Sequence, residues 1–285
     1  MSSSTRIALV TGANKGLGFA IVRDLCRRFP GDVVLTARDE ARGSGGRAAA
    51  AGRGPEPPFP PVGHHRPAEH PRRARLPAQG VQGPRRAGQQ RGHRLRADPT
   101  PTPIKAEVTM KTNFFGTRDI CTELLPLMKP QGRVVNMSSG WGFKALESCS
   151  PELQQKLRSE TITEEELVGL MNKFVEDTKN GVHRKEGWPD NNIYGVAKIG
   201  ITALSRIQAR KLSEQRGGDK ILLNACCPGW VRTDMGGSKA PKSLEEGIET
   251  PVYLALLPSD AEGPHGQFVH EKKVAKWQFM PEFYP

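Results

Sequence analysis

Eight residues, Thr11-Gly12-Ala13-Asn14-Lys15-Gly16-Leu17-Gly18, separate a short apolar run, Ile7 to Val10, from a stretch in which Leu17, Ala20, Ile21, Leu25 and Cys26 recur at helical spacing. Strand, glycine turn and helix in that order leave few options. Glycines let the backbone turn tightly and come close to a pyrophosphate, which rests on the N-terminus of the helix that follows. The spacing is G-x-x-x-G-x-G at Gly12, Gly16 and Gly18, so an ordinary strand-to-helix turn is the alternative reading. Pro30-Gly31 ends the helix and Val33-Val34-Leu35-Thr36 is a second strand, which completes one βαβ unit of a parallel sheet.

Downstream, Val108 to Thr117 leads into a helix through Leu124–Met128, and Gly132 to Met137 reads as a strand. Glu152 to about Asp177 reads as charged helix, with a start signal at Thr163-Glu164-Glu165-Glu166. Tyr194 to Leu212 is an amphipathic helix, and Ile221 to Ala225 is a buried strand ended by Pro228-Gly229. Two further motifs carry chemistry. Tyr194-Gly195-Val196-Ala197-Lys198 puts a phenol and an ammonium on one helix face, where the cation favours phenolate and draws the tyrosine toward working pH; a surface pair is the alternative. Asn136-Met137-Ser138-Ser139 closes a strand, where ligands of open α/β sheets bind and a hydroxyl can meet a substrate carbonyl; a plain polar strand end is the alternative.

Taken together and in this order, the three motifs resemble the short-chain dehydrogenase/reductase family, and within it the monomeric cytosolic NADPH-dependent carbonyl reductases. Supporting runs are Gly31 to Arg38, Lys111 to Thr117, Glu166 to Met171 and Asn224 to Asp234; the likeness covers about residues 1–42 and 97–277. It implies a Rossmann-type doubly wound α/β sheet in a single domain (1–277), followed by a tail (278–285) with no assigned role. It also implies reduction of ketones, aldehydes and quinones to alcohols. Tyr194 would be the general acid, Lys198 would lower its pKa and bind the nicotinamide ribose, Ser139 would orient the carbonyl, and Asn113 would hold a relay water. Gly12, Asn14, Lys15, Gly16, Leu17 and Gly18 would cradle the cofactor, with Val231 and Thr233 at its amide. An NAD site places an acid after the second strand, whereas here Thr36-Ala37-Arg38 ends that strand and Lys15 lies in the glycine turn, so two cations favour a 2′-phosphate and hence NADPH.

Ser139 and Tyr194 stand 55 residues apart, and the extra stretch around 147–187 matches the insertion that covers the tetramer-forming helix face elsewhere in the family, which implies a monomer. Cys227 is a candidate for a reactive thiol or a glutathione-conjugate site; a packed small cysteine is the alternative. Five cysteines without a C-x-x-C pair make a disulfide framework or a zinc site unexpected, and no run approaches the ~18 apolar residues of a membrane span, so the chain reads as a cytoplasmic protein.

One block breaks this pattern. Between Gly43 and Arg96 lie 11 Arg, nine Pro and only two acids, so that 54 residues carry +9 of the chain's formal +12. Such a composition buries too little apolar surface to offset its ordering entropy, and the prolines oppose helix or central strand through most of it. The block replaces the family's segment from the second helix through the fourth strand. Gly88-Gln89-Gln90-Arg91-Gly92-His93-Arg94 is what a coding sequence for Val-Asn-Asn-Ala-Gly-Ile-Ala yields one base out of frame. Residues 44–96 are therefore expected to be an out-of-frame reading of the family's own coding sequence. A genuine basic insert that binds nucleic acid would not explain the match, and His64, His65 and His70 belong to the same debris rather than to a metal site. Without the fourth strand the two sheet halves would lack a hydrogen-bonded seam, so an inactive or binding-only product is the alternative function.

Overall fold

The computed structural model describes residues 6–36, 78–82 and 100–279. In chain order the elements are β1 (Ile7–Thr11), α1 (Gly16–Arg28), β2 (Asp32–Thr36), β3 (Ala78–Gln82), α2 (Thr102–Thr109), α3 (Gly116–Leu124), β4 (Arg133–Met137), α4 (Trp141–Glu147), α5 (Pro151–Arg158), α6 (Glu164–Lys179), α7 (Ile193–Arg216), β5 (Leu222–Cys227), α8 (Leu244–Ala255), β6 (Phe268–His270) and β7 (Lys273–Val274). The strands form one sheet of order β2-β1-β3-β4-β5-β6-β7, parallel except for the last pair. The expected doubly wound α/β fold is what the chain adopts.

The β-branched runs of β1, β2 and β4 suit strands covered on both faces. One apolar cluster packs α1 (Ile21, Leu25) and α8 (Ile248, Val252) against Val10, Leu35 and Val135. A second packs α4, α6 and α7 (Phe143, Leu167, Met171, Phe174, Ile199, Leu204) against Ala225 and Phe268.

The seam between the sheet halves is filled. Ala78–Gln82 lies between β1 and β4 and is parallel to both, with Val10 opposite Val81 and Val81 opposite Val135. The reading of this stretch as unable to supply a central strand is corrected here. The physical reason is local. Ala78 to Gly83 is the interval between Pro77 and Pro84 and carries no arginine, so every residue of the strand has an N–H to give the ladder. The rest of the 43–96 block, including Gly88 to Arg94 and the three histidines, lies outside the described residues.

The helical stretch expected from Glu152 to about Asp177 is two helices, the second beginning at the start signal read at Thr163. Ser159 leaves helical geometry, and Thr163 starts α6 with a full capping box: Glu166 N–H donates to Thr163 Oγ1, and Thr163 N–H donates to Glu166 Oε2. Arg206 and Arg210 of α7 satisfy the carbonyls this break exposes, at Leu157, Arg158, Ser159, Glu160 and Ile162. Between α2 and α3 the expected helix widens into a π-turn, Met110–Phe115, a local irregularity common at functional positions.

Candidate active site

Three elements converge where β4 ends. Ser139 follows β4, Tyr194 and Lys198 lie in the first turns of α7, and Asn113 sits in the π-turn. Asn192 caps α7: its Oδ1 accepts from Gly195 N at 2.9 Å, while its Nδ2 donates to the Trp141 carbonyl at 3.4 Å. One residue thereby fixes both the start of α7 and the chain that leaves Ser139. Gly142 lets α4 lie directly on α7, since a Cβ there would stand 2.8 Å from Ile199 N.

Lys198 is buried, and its Nζ donates to the Met137 carbonyl at 2.9 Å. The ammonium stands 5.4 Å from the Tyr194 ring centre. Burial pulls the Lys198 pKa down to about 8, partly offset by the sulfurs of Cys227 and Cys226. In this geometry burial outweighs the lowering that the Lys198 ammonium was expected to give the Tyr194 phenol. Burial pushes Tyr194 up, Cys227 adds to this, and only the hydrogen bond with Ser139 opposes it. The phenol therefore stays protonated, which is the form a general acid needs. The buried Nδ2 of Asn113 has no protein partner among the described residues.

Asn136 and Ser138, which the sequence offered only as part of the strand-end motif, clamp β4 to α7 through Ser205, Lys198 and Thr202. Ser138 Oγ donates to the Lys198 carbonyl at 2.8 Å and lies 2.7 Å from Thr202 Oγ1. Asn136 Nδ2 donates to Ser205 Oγ at 2.9 Å. The available signal was the small hydroxyl residues Thr202 and Ser205, buried on the inner face of α7.

The glycine turn adopts the tight form its spacing predicted. Gly12 and Gly16 have φ of 65° and 55°, and a Cβ on Gly18 would lie 2.7 Å from the Gly12 carbonyl. Ala13 N donates to Thr36 O at 3.1 Å, which ties the turn, with Asn14 in it, to the end of β2. Lys15 is the N-cap of α1, whose first turn has no acid and no side-chain cap, so its N–H groups face outward as an anion site would require. The loop after β5 meets this turn: Val231 and Leu17 close on the same side of Gly247, and Thr233 lies beside Gly16. Lys15 is not a free cation, because its Nζ pairs with Asp234. Arg38 lies outside the described residues. Cys227 Sγ accepts from Gly140 N at 3.4 Å and Gly229 N at 3.3 Å, next to Ser139. Among the described residues no cluster of His, Cys, Asp and Glu could hold a metal, and no helix is long and apolar enough to cross a membrane.

A family model described as "Enoyl-(Acyl carrier protein) reductase" matches residues 180–255, which span α7 through α8. The chain is 68% identical to "Carbonyl reductase [NADPH] 1" of Bos taurus, with 97% of this chain and 100% of that protein covered. It is 66% identical to the Sus scrofa protein of the same name, with 100% and 99% covered. Among solved structures, salutaridine reductase from Papaver somniferum superposes with a TM-score of 0.74 at 26% identity, over 93% of this chain and 99% of that one. Similarity of this extent, over a parallel sheet whose carboxyl edge carries both the glycine turn after β1 and Ser139 after β4, with Tyr194 and Lys198 beside it, makes the chain a member of the short-chain dehydrogenase/reductase family, in its carbonyl reductase branch.

Proposed function

We propose that the protein reduces ketones, aldehydes and quinones to alcohols with NADPH. The observation that carries this reading is the convergence of Ser139, Tyr194 and Lys198 at the end of β4, with the phenol held protonated. Its relatives named carbonyl reductase [NADPH] support the cofactor. The glycine turn fits a dinucleotide pyrophosphate, since the Gly12–Gly18 approach leaves no room for a side chain and the α1 N-terminus is uncapped. When bound, NADPH supplies the hydride.

The chain's own residues do the rest. Ser139 donates a hydrogen bond to the substrate carbonyl oxygen, and Tyr194 gives its phenolic proton to that oxygen as charge develops on it. Lys198, whose Nζ is fixed on the Met137 carbonyl, stabilises the phenolate left behind. Asn113, with a buried donor still to satisfy, holds a water that restores the proton. Gly12, Asn14, Gly16, Leu17 and Gly18 bind the pyrophosphate, and Val231 and Thr233 orient the carboxamide. Lys15 meets a 2′-phosphate together with Arg38 once the carboxylate of Asp234 is exchanged for it.

Three subsidiary readings accompany this. α5 and α6 lie over α7, burying Leu157, Met171 and Phe174 there, which supports a monomer. A glutathione-conjugate subsite at Cys227 is carried by the family resemblance; its Sγ is buried beside Ser139 and accepts from Gly140 N and Gly229 N. Residues 44–96 are an out-of-frame stretch of the family's coding sequence, which resequencing of the transcript tests. For the main reading, the test is menadione-dependent oxidation of NADPH by the chain as written. Turnover is expected, and its absence from a folded, NADPH-binding protein contradicts the proposal.

A further inference from the structure

The tail past Trp277 had no role in the sequence, yet its described residues, Gln278 and Phe279, pack on α4, the helix that follows Ser139. Trp277 is its first anchor. The ring packs 5.9 Å from Phe143, the Arg206 guanidinium stacks 4.2 Å above it, and Arg158 donates to its carbonyl at 2.7 Å. From there the chain passes over α4 to a second anchor at Phe279. Phe279 N–H donates to Glu147 Oε1 at 2.9 Å, and the ammonium of Lys144 sits 5.1 Å above its ring. The ring itself lies 5.9 Å from Trp141 at a tilt of 49°.

Trp141 connects this contact to the reacting groups. Its N–H donates to Ser139 Oγ at 3.3 Å, and its carbonyl accepts from Asn192, the cap that starts α7 two residues before Tyr194. The indole therefore leaves the chain two residues from the serine, on the half-exposed side of the site, with Phe279 standing over it. Two aromatic rings thus meet at the residue whose backbone N–H binds Ser139 Oγ, and neither ring has a recorded contact with Ser139, Tyr194 or Lys198.

We propose that Phe279 is a specificity-determining residue: with Trp141 it narrows the carbonyl subsite, so that flat, small carbonyl compounds enter more readily than wide ones. This rests on the reductase reading above. The aromatic pair acts on access and ground-state fit, and it changes KM rather than the proton or hydride step.

The test compares benzaldehyde, with one ring, and 9-anthraldehyde, with three, in NADPH-dependent turnover by the full chain. Phe279→Ala is expected to lower KM for 9-anthraldehyde about fivefold while leaving benzaldehyde KM and both kcat values within about twofold. Glu147→Ala, which frees the Phe279 N–H, should move in the same direction; Glu147→Gln, which retains an acceptor oxygen, should behave as wild type. A chain ending at Trp277 controls for any misplacement of the alanine variant. A three-ring to one-ring kcat/KM ratio unchanged in both the alanine variant and the truncated chain overturns the role of the tail and leaves the reductase reading intact. Wild-type protein that turns over neither aldehyde nor menadione overturns the reductase reading and the subsite together.

Discussion

Ser138 and Lys198 are joined by a hydrogen bond of 2.8 Å from the serine hydroxyl to the lysine's backbone carbonyl. The same lysine's ammonium donates to the carbonyl of Met137, one residue before that serine. β4 and α7 are thus stitched at two adjacent residues, and the position of Tyr194 one turn earlier follows from that stitch. Ser138→Ala leaves the Lys198 carbonyl with Thr202 Oγ1 as its remaining side-chain donor. The expected cost is about 1–2 kcal/mol of stability, together with a kcat loss of about tenfold as the phenol drifts from its position. Thermal melts and steady-state turnover with menadione check both numbers.

The pH dependence follows from the charge on Lys198. Its pKa is held down to about 8 by burial, while the Tyr194 phenol is pushed above its ordinary range. The ammonium is therefore the first of the two to lose its proton as pH rises, and kcat/KM should fall through about 8. The stability linkage has the opposite sign. Between about 8 and the ordinary lysine value the unfolded chain binds the proton and the folded one does not, so this group makes the fold more stable as pH rises through that window. A Lys198→Met variant should lose both dependences. A pH–rate profile and pH-dependent melts measure them.

The glycine turn gives a cofactor-binding prediction. A Cβ at Gly18 would meet Gly12 O at 2.7 Å and Ala13 Cα at 2.9 Å, backbone atoms that cannot swing aside. Gly18→Ala must open the turn and move the α1 N–H groups off the pyrophosphate. NADPH affinity is expected to fall at least about tenfold, or about 1.4 kcal/mol, in a fluorescence titration, with the sheet retained by circular dichroism.

The central strand can be tested through its backbone. Val81 faces Val10 of β1 and Val135 of β4, so its N–H belongs to one of the two ladders. Val81→Pro removes that donor and leaves a buried carbonyl unpaired, at about 1–3 kcal/mol. A clear fall in melting temperature is expected. An unchanged melt would show that the sheet does not depend on this strand.

Much of this arrangement was legible in the sequence because it rests on local patterns. The βαβ start, the glycine turn, the strand ending at Ser139 and the i, i+4 spacing of Tyr194 and Lys198 each need only a few consecutive residues. What escaped depends on distant partners. Ala78–Gln82 has no strand signature of its own and is a strand because β1 and β4 offer it ladders on both sides. The start of α6 at Thr163 was legible, but the end of α5 before Ser159 was not, because arginines from α7, some fifty residues away in sequence, hold that break open. The direction of the Tyr194 shift could not be read from Lys198 alone, because desolvation by the surrounding fold outweighs one neighbouring charge. Phe279 met its partners Trp141, Lys144 and Glu147 only across the fold.

Tyr194 is proposed as the proton donor in carbonyl reduction. Single-turnover mixing of NADPH-loaded Tyr194→Phe with menadione measures it directly, because it separates the chemical step from binding and product release. The expected hydride-transfer rate is at least about a thousandfold below wild type, with NADPH affinity within about twofold. A rate within tenfold of wild type would contradict it and remove Tyr194 from the mechanism.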